Sequence, residues 1–163
     1  MRSRPNLGHA EVTEIGTELA IPFMREYAKR WKLPFNEDGL EGVQWIGAWY
    51  GGSLRAVAGI RDLSYLGGRW ATWRYVYGFY GDGGPHQNVG VHAIGKALIG
   101  LPFGLLGAVY FENLRMIRVA RRHGFTINHD PNPDIQYVYV ERPPRLEVLR
   151  AVCSGKQSWD AAS

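Results

Sequence analysis

The residues with the clearest chemical potential form one run, Gly81-Asp82-Gly83-Gly84-Pro85-His86-Gln87-Asn88-Val89-Gly90, which leads into Val91-His92-Ala93-Ile94-Gly95-Lys96-Ala97-Leu98-Ile99. This pattern predicts a glycine-rich loop feeding a short helix over 91–99. Such a junction gathers backbone N–H groups that lack an intrahelical partner at the positive end of a helix dipole, which suits a phosphate group. The run lacks the Gly-Lys-Ser/Thr ending of a P-loop and the spaced acidic residue of a dinucleotide fold. A loop of this composition also serves as a plain surface turn. His86 and His92 flank the run, and His9, His123 and His129 are scattered. No pair has the spacing of a zinc helix with a glutamate between, so no metal site is expected. His92 suits a cap or a phosphate contact.

Positioning this loop falls to the elements around it. Val12, Ile15, Leu19, Phe23, Tyr27 and Trp31 recur at three-to-four spacing, a helical pattern. Pro22 lacks an N–H and clashes with the preceding turn, so the pattern predicts two helices, near 11–20 and 22–32, with no strand before them. Val43–Tyr50 and Ser53–Arg61 flank Gly51-Gly52 as a hairpin. After Gly67-Gly68 the stretch Arg69–Tyr80, including Val76, reads as the longest strand, the third of an antiparallel run. Leu105–Phe111 is almost wholly apolar, as in a central strand buried on both faces. Asn113 suits a helix N-cap and Gly124 the stop of a helix that carries Arg115, Arg118, Arg121 and Arg122 around Leu114, Ile117 and Ala120. A short extended piece after Phe125, a turn at Asp130-Pro131-Asn132-Pro133, a strand over Ile135–Val140 and a terminal helix after Pro143-Pro144 complete the chain.

At 163 residues, 45% apolar and 13% aromatic, the chain can bury a full core as one domain, which excludes a mostly disordered protein. No apolar run approaches the ~18 residues of a membrane helix, and Met1-Arg2-Ser3-Arg4-Pro5 does not open a secretion segment. The single cysteine, Cys153, rules out a disulfide framework and fits a reducing, cytoplasmic setting. Nineteen basic residues against 15 acidic give a net charge of +4. Fifteen of the 19 are arginines, whose planar forks suit phosphate and carboxylate. Arg69, Trp70, Trp73, Arg74 and Tyr75 interleave cations with rings as single-strand binders do. Strand alternation turns half of them inward, so a nucleic-acid partner is not expected.

The order of elements, together with two local motifs, resembles the GNAT superfamily of acetyl-CoA-dependent N-acyltransferases over roughly residues 11–142, with 143–163 as a tail or helix. The resemblance implies an α+β fold: a mixed central sheet with an N-terminal antiparallel meander and central buried strands, flanked by helices. In that family the loop after the long fourth strand carries Gln/Arg-x-x-Gly-x-Gly/Ala, whose amides hold the pyrophosphate of coenzyme A. Gln87-Asn88-Val89-Gly90-Val91-His92 matches the first two marked positions and departs at His92. A register three residues on makes Ala93-Ile94-Gly95-Lys96-Ala97-Leu98 the helix start and places Gly90 where Gln or Arg belongs. The cofactor implied is acetyl-CoA, held along Val76, Gln87, Asn88, Val89, Gly90, Val91, His92 and Ala93. The second motif runs from Ala108-Val109-Tyr110-Phe111-Glu112-Asn113 to Arg121-Arg122-His123-Gly124-Phe125. There the family's Asn contacts the pantetheine arm, a role that falls on Asn113.

The resemblance implies direct attack of an amine on the acetyl thioester, without a covalent enzyme intermediate, so Cys153 is not needed. The acceptor would be an amine-bearing small molecule, a protein terminus or a lysine. Ala120 stands where the family often has the tyrosine that protonates the departing thiolate. Glu112 or Asp82 could then act as base through water, and Tyr77 or Tyr80 as acid. By alternation Tyr75 and Tyr77 share one strand face and Tyr80 takes the other. The competing reading is an inactive scaffold or binding protein with this fold, such as a bacteriophage virion component with protein partners in a larger assembly.

Overall fold

The structure is a computed structural model that describes residues 9–153. It departs from the sequence expectation at its first element. Glu11–Ile15 is a strand, β1, and one helix, α1, spans Thr17–Trp31. Three of the five β1 residues (Val12, Thr13 and Ile15) are β-branched, and pairing with the next strand, β2 (Gln44–Tyr50), outweighs the helical spacing. Pro22 lies inside α1 and removes one hydrogen bond to Glu18 without splitting the helix. Ala20, Met24 and Ala28 bury a stripe at four-residue spacing that holds it together.

β2 and β3 (Ser53–Asp62) form the expected antiparallel hairpin, with φ of 62° at Gly51 and 77° at Gly52, the signs a tight two-residue hairpin turn demands. The next strand is shorter than expected. Gly67 and Gly68 both adopt left-handed φ, which no strand continues, and Ser64–Leu66 and Gly68–Thr72 are 3₁₀ turns. β4 therefore runs only from Trp73 to Gly81. The helix after it, α2, begins four residues earlier than expected and covers Gln87–Ile99. β5 (Gly104–Tyr110), α3 (Leu114–Arg122), β6 (Thr126–His129), β7 (Tyr137–Arg142) and α4 (Leu146–Cys153) follow.

The strand order is β1-β2-β3-β4-β5-β7-β6. β4 and β5 are parallel, whereas β1–β2, β2–β3, β5–β7 and β6–β7 are antiparallel, giving the mixed α+β sheet that was expected. β5 is fully buried on one face only, through Leu105, Gly107 and Val109; on the other, Gly104 is buried, Leu106 and Tyr110 are half-buried and Ala108 is exposed. Its covered face meets α3 through Val109, Ile117, Ala120, Val138 and Val140. The chain forms two compact units, one of residues up to Ile60 with Gly78–Leu98, the other of Arg61–Tyr77 with the chain from Ile99 on. Among the described residues no helix is long and apolar enough to cross a membrane, and no group of three or more His, Cys, Asp or Glu could hold a metal ion.

Two arginines organise the second unit. Arg142 donates to the carbonyls of Ile99 (2.8 Å), Leu101 (2.9 Å) and Phe103 (3.2 Å), fixing the connection that delivers β5. Arg74, only 2% exposed, lies 3.7 Å from the Phe103 ring centroid, donates to the Trp73 carbonyl at 2.9 Å and pairs with Asp62 at 3.5 Å. Burial tends to raise the pKa of Asp62. Hydrogen bonds from the Ser64 amide and hydroxyl, together with the Arg74 charge, outweigh burial and hold it below the ordinary aspartate value.

Arg142→Ala should cost about 2–4 kcal/mol, because three carbonyls lose a charged donor, and urea unfolding measures it. A carboxylate with a depressed native pKa adds stability above the unfolded pKa and loses it on acidification. Unfolding midpoints should therefore fall as pH drops below about 4, and Asp62→Asn should flatten that part of the profile.

Candidate functional site

Two features have the chemistry to hold an extended, phosphorylated ligand, and each lies within one unit. In the second unit the parallel ladder between β4 and β5 is four residues long. It pairs Trp73 with Gly104 and ends where Val76 meets Gly107. A Cβ on Gly107 would sit 3.3 Å from the Val76 carbonyl oxygen, so glycine lets the strands close there. β5 continues to Tyr110, paired throughout with β7 on its other edge, as in Tyr110 opposite Tyr137. Past Gly107 the β4-facing edge of β5 thus leaves the ladder. Strand edges of this kind take up an extended amide-bearing chain by main-chain hydrogen bonding.

Tyr75 and Tyr77 share a face there, as expected. Burial, and the nearness of Tyr77, Tyr137 and Tyr139, push the Tyr75 hydroxyl above its ordinary pKa, against a smaller opposing pull from Arg61. The Arg61 guanidinium lies 5.3 Å from the Tyr77 ring centroid. Glu112 follows β5 in an exposed turn. Asn113 caps α3, its Oδ1 accepting from the Met116 amide at 3.3 Å. Gly124, at φ 84°, ends α3 with Phe125 N–H donating to the Ala120 carbonyl, so both motif residues perform their structural roles. Ala120 is buried in the α3 core cluster.

The glycine loop belongs to the first unit and is tied down. Arg55 Nε donates to the Tyr50 carbonyl at 3.0 Å, and Arg55 Nη1 pairs with Asp82 at 3.3 Å. Asp82 Oδ1 accepts from the Gly84 amide at 2.9 Å, and Gln87 Oε1 accepts from the Gly83 amide at 3.2 Å. The Gln87 and Val89 amides donate to the carbonyls of Gly84 and His86. The expected junction of unpartnered amides leading into a helix at 91 is corrected: the segment is helical from Gln87, so Val91, His92 and Ala93 lie within the helix and two earlier amides are spent inside the turn. Gly90 is buried for a packing reason, since a Cβ there would lie 2.7 Å from Arg55 Cβ and 3.0 Å from Ala56 Cβ.

The structure brings Asp82 and Gln87 together around Gly83 and Gly84. Asn88 is exposed and His92 half-buried on α2. Tyr80 turns away to pack on Tyr27, with centroids 4.9 Å apart, and its ring occupies the space a Cβ on Gly78 would need. Sequence reasoning placed His86 beside the loop but missed Arg30 and Arg55 there. Arg30 Nη2 lies 2.9 Å from the point where a Cβ on Gly83 would stand, and the His86 ring lies 5.3 Å from Tyr50. The hairpin glycines before Arg55 were a visible signal for its strand, but not for its pairing with Asp82. Arg55 is already paired with Asp82, whereas Arg30 carries the charge a diphosphate pairs with. The amides of Gly83, Gln87 and Val89 would serve it only by exchanging their present partners.

The fold is similar to that of solved GNAT acetyltransferases. Similar solved structures include an acetyltransferase from Thermus thermophilus (TM-score 0.57, 13% identity, covering 82% of this chain and 96% of that one). The ribosomal-protein-S18-alanine N-acetyltransferase from Escherichia coli gives 0.55, 15%, 85% and 96%. A phosphinothricin acetyltransferase from Sinorhizobium meliloti, solved with acetyl-CoA, gives 0.54, 14%, 83% and 89%. No protein-family model matches the sequence, and no curated protein matches it significantly.

Gly90→Ala should destabilise the chain by about 1–3 kcal/mol through overpacking against β3. Asn113→Ala should cost about 1 kcal/mol as a lost cap, and Asn113→Ser should recover most of it. Denaturant unfolding of the three variants checks both values.

Proposed function

We propose that this chain is an acetyl-CoA-dependent N-acetyltransferase that transfers the acetyl group to a primary amine by direct attack. The observation that carries the reading is the parallel ladder that stops at Val76–Gly107, on a fold similar to solved acetyltransferases. The β5 edge beyond Gly107 presents main-chain donors and acceptors to the amides of a pantetheine arm, and Asn113 is the side chain assigned to that arm.

Acetyl-CoA, when bound, supplies an acetyl thioester already activated toward an amine. Glu112, exposed at the end of β5, receives the ammonium proton through water. Tyr77 holds the proton that the leaving thiolate needs. Asp82 is the weaker base because its carboxylate already serves Arg55 and the Gly84 amide, and Tyr80 the weaker acid because its ring is packed on Tyr27.

Calorimetric titration of acetyl-CoA should give micromolar affinity, weakened by Asn113→Ala. Release of free coenzyme A thiol in the presence of primary amines should fall about 100-fold in Glu112→Gln with binding preserved, the size of a general-base contribution. No heat and no thermal shift with millimolar acetyl-CoA would sink the reading.

A further inference from the structure

α3 carries an electrostatic arrangement that its own stability does not explain. Arg115, Arg118, Arg121 and Arg122 are all exposed, and the helix contains no acidic residue. The chain runs from Asn113 to His129 without an Asp or Glu. Of the 19 basic and 15 acidic residues in the protein, setting these four arginines aside leaves 15 of each. The whole net positive charge of the chain is thus equivalent to one face of one helix.

Arg121 and Arg122 complement the dipole at the C-terminal end. Arg115 and Arg118 do not: Arg115 stands in the first turn, where the dipole disfavours a cation. Arg115/Arg118, Arg118/Arg121 and Arg118/Arg122 are like-charged at three- and four-residue spacing, each pair costing a few tenths of a kcal/mol. Among the described residues no carboxylate lies within ion-pair distance of Arg118, Arg121 or Arg122. The three guanidinium groups of Arg118, Arg121 and Arg122 are relieved by a dense line of negative charge.

We propose that the α3 arginine face docks the phosphate backbone of nucleic acid, independently of sequence. Arg115 to Arg122 span about 10 Å of helix axis, and duplex DNA presents about six phosphate charges over that length. Arginine forks pair bidentately with phosphate oxygens. The surface differs from the Arg69–Tyr75 stretch that the sequence brought forward, where Arg74 is buried against Phe103 and unable to reach a ligand. It stands apart from the acetyltransferase reading and survives that reading's failure.

The test is fluorescence anisotropy of a labelled mixed-sequence duplex of about 24 base pairs, titrated with the full chain from about 25 to about 200 mM NaCl. The expected log–log salt slope is about −3 for three to four phosphate contacts. Replacing all four α3 arginines by Gln should weaken binding at least about tenfold and flatten the slope, while replacing all four by Lys should keep it. Should the quadruple Gln variant fail to fold by circular dichroism, Arg118→Gln and Arg122→Gln singly should each lower the slope by about one. The proposal is overturned by any of four results: no binding at the lowest salt, a slope unchanged in the Gln variants, a loss of binding seen instead in the Arg2→Gln/Arg4→Gln variant, or competition by polyglutamate as effective as by duplex of equal charge. The last would identify an acidic protein as the partner.

Discussion

A parallel ladder of four residue pairs, Trp73–Val76 against Gly104–Gly107, is the constraint on which the second unit depends. Parallel pairing needs both strands delivered to one edge by a long crossover, and it is slightly weaker per residue than antiparallel pairing. Here side chains compensate. The Trp73 indole lies where a Cβ on Gly104 would stand, so the first pair closes only because that residue is glycine. Arg74, the next residue, is held against Phe103 and bonded to local carbonyls, and Arg142 fixes the carbonyls on the approach to β5. The ladder is anchored at its start and released at its end, so β5 keeps β7 on one edge while its other edge leaves β4.

The glycine loop of the first unit obeys a different logic. A loop rich in glycine loses much conformational entropy when ordered, and this one is ordered by polar bonds rather than by packing. Asp82 carries much of that order: it pairs with Arg55, accepts from the Gly84 amide, and donates its own amide to the Arg55 carbonyl at 2.8 Å. The turn bonds from Gln87 and Val89 reach back three residues, the tighter and weaker geometry of helix starts. Bonds of this kind exchange at small cost for a charged acceptor, which forms stronger hydrogen bonds than a carbonyl. The loop is therefore both structured and exchangeable, whereas an open cradle of idle amides would leave donors unsatisfied.

Much of this was legible in the sequence, and the failures have causes. The Gly51-Gly52 hairpin, the Asn113 cap and the Gly124 stop were all readable because each depends on local conformation at one or two residues. β1 was misread because Val12, Ile15 and Leu19 satisfy a helical period, while the partners that make Glu11–Ile15 a strand lie thirty or more residues away. Gly90 carries a requirement the sequence did not show: it answers the Arg55 and Ala56 side chains across the packing. Arg30 and Arg55 around the loop were invisible, since neither their pairing nor their proximity follows from spacing. Exposure of Ala108 was likewise hidden, because an apolar run does not state how many of its faces are covered.

α3 shows how one short helix reconciles these demands. Its inward side, Ile117 and Ala120, packs on Val109, Val138 and Val140, and its ends are closed by Asn113 and by the Gly124 turn. Cap and core suffice to hold nine residues that would not be helical alone. The outward side is then free to carry charge that a helix selected for stability alone would avoid. Places where a sequence breaks a local rule without a local gain are where function is most economically sought. In α3 the broken rule is electrostatic, confined to the solvent face, and separable by mutation from the residues that keep the helix in place.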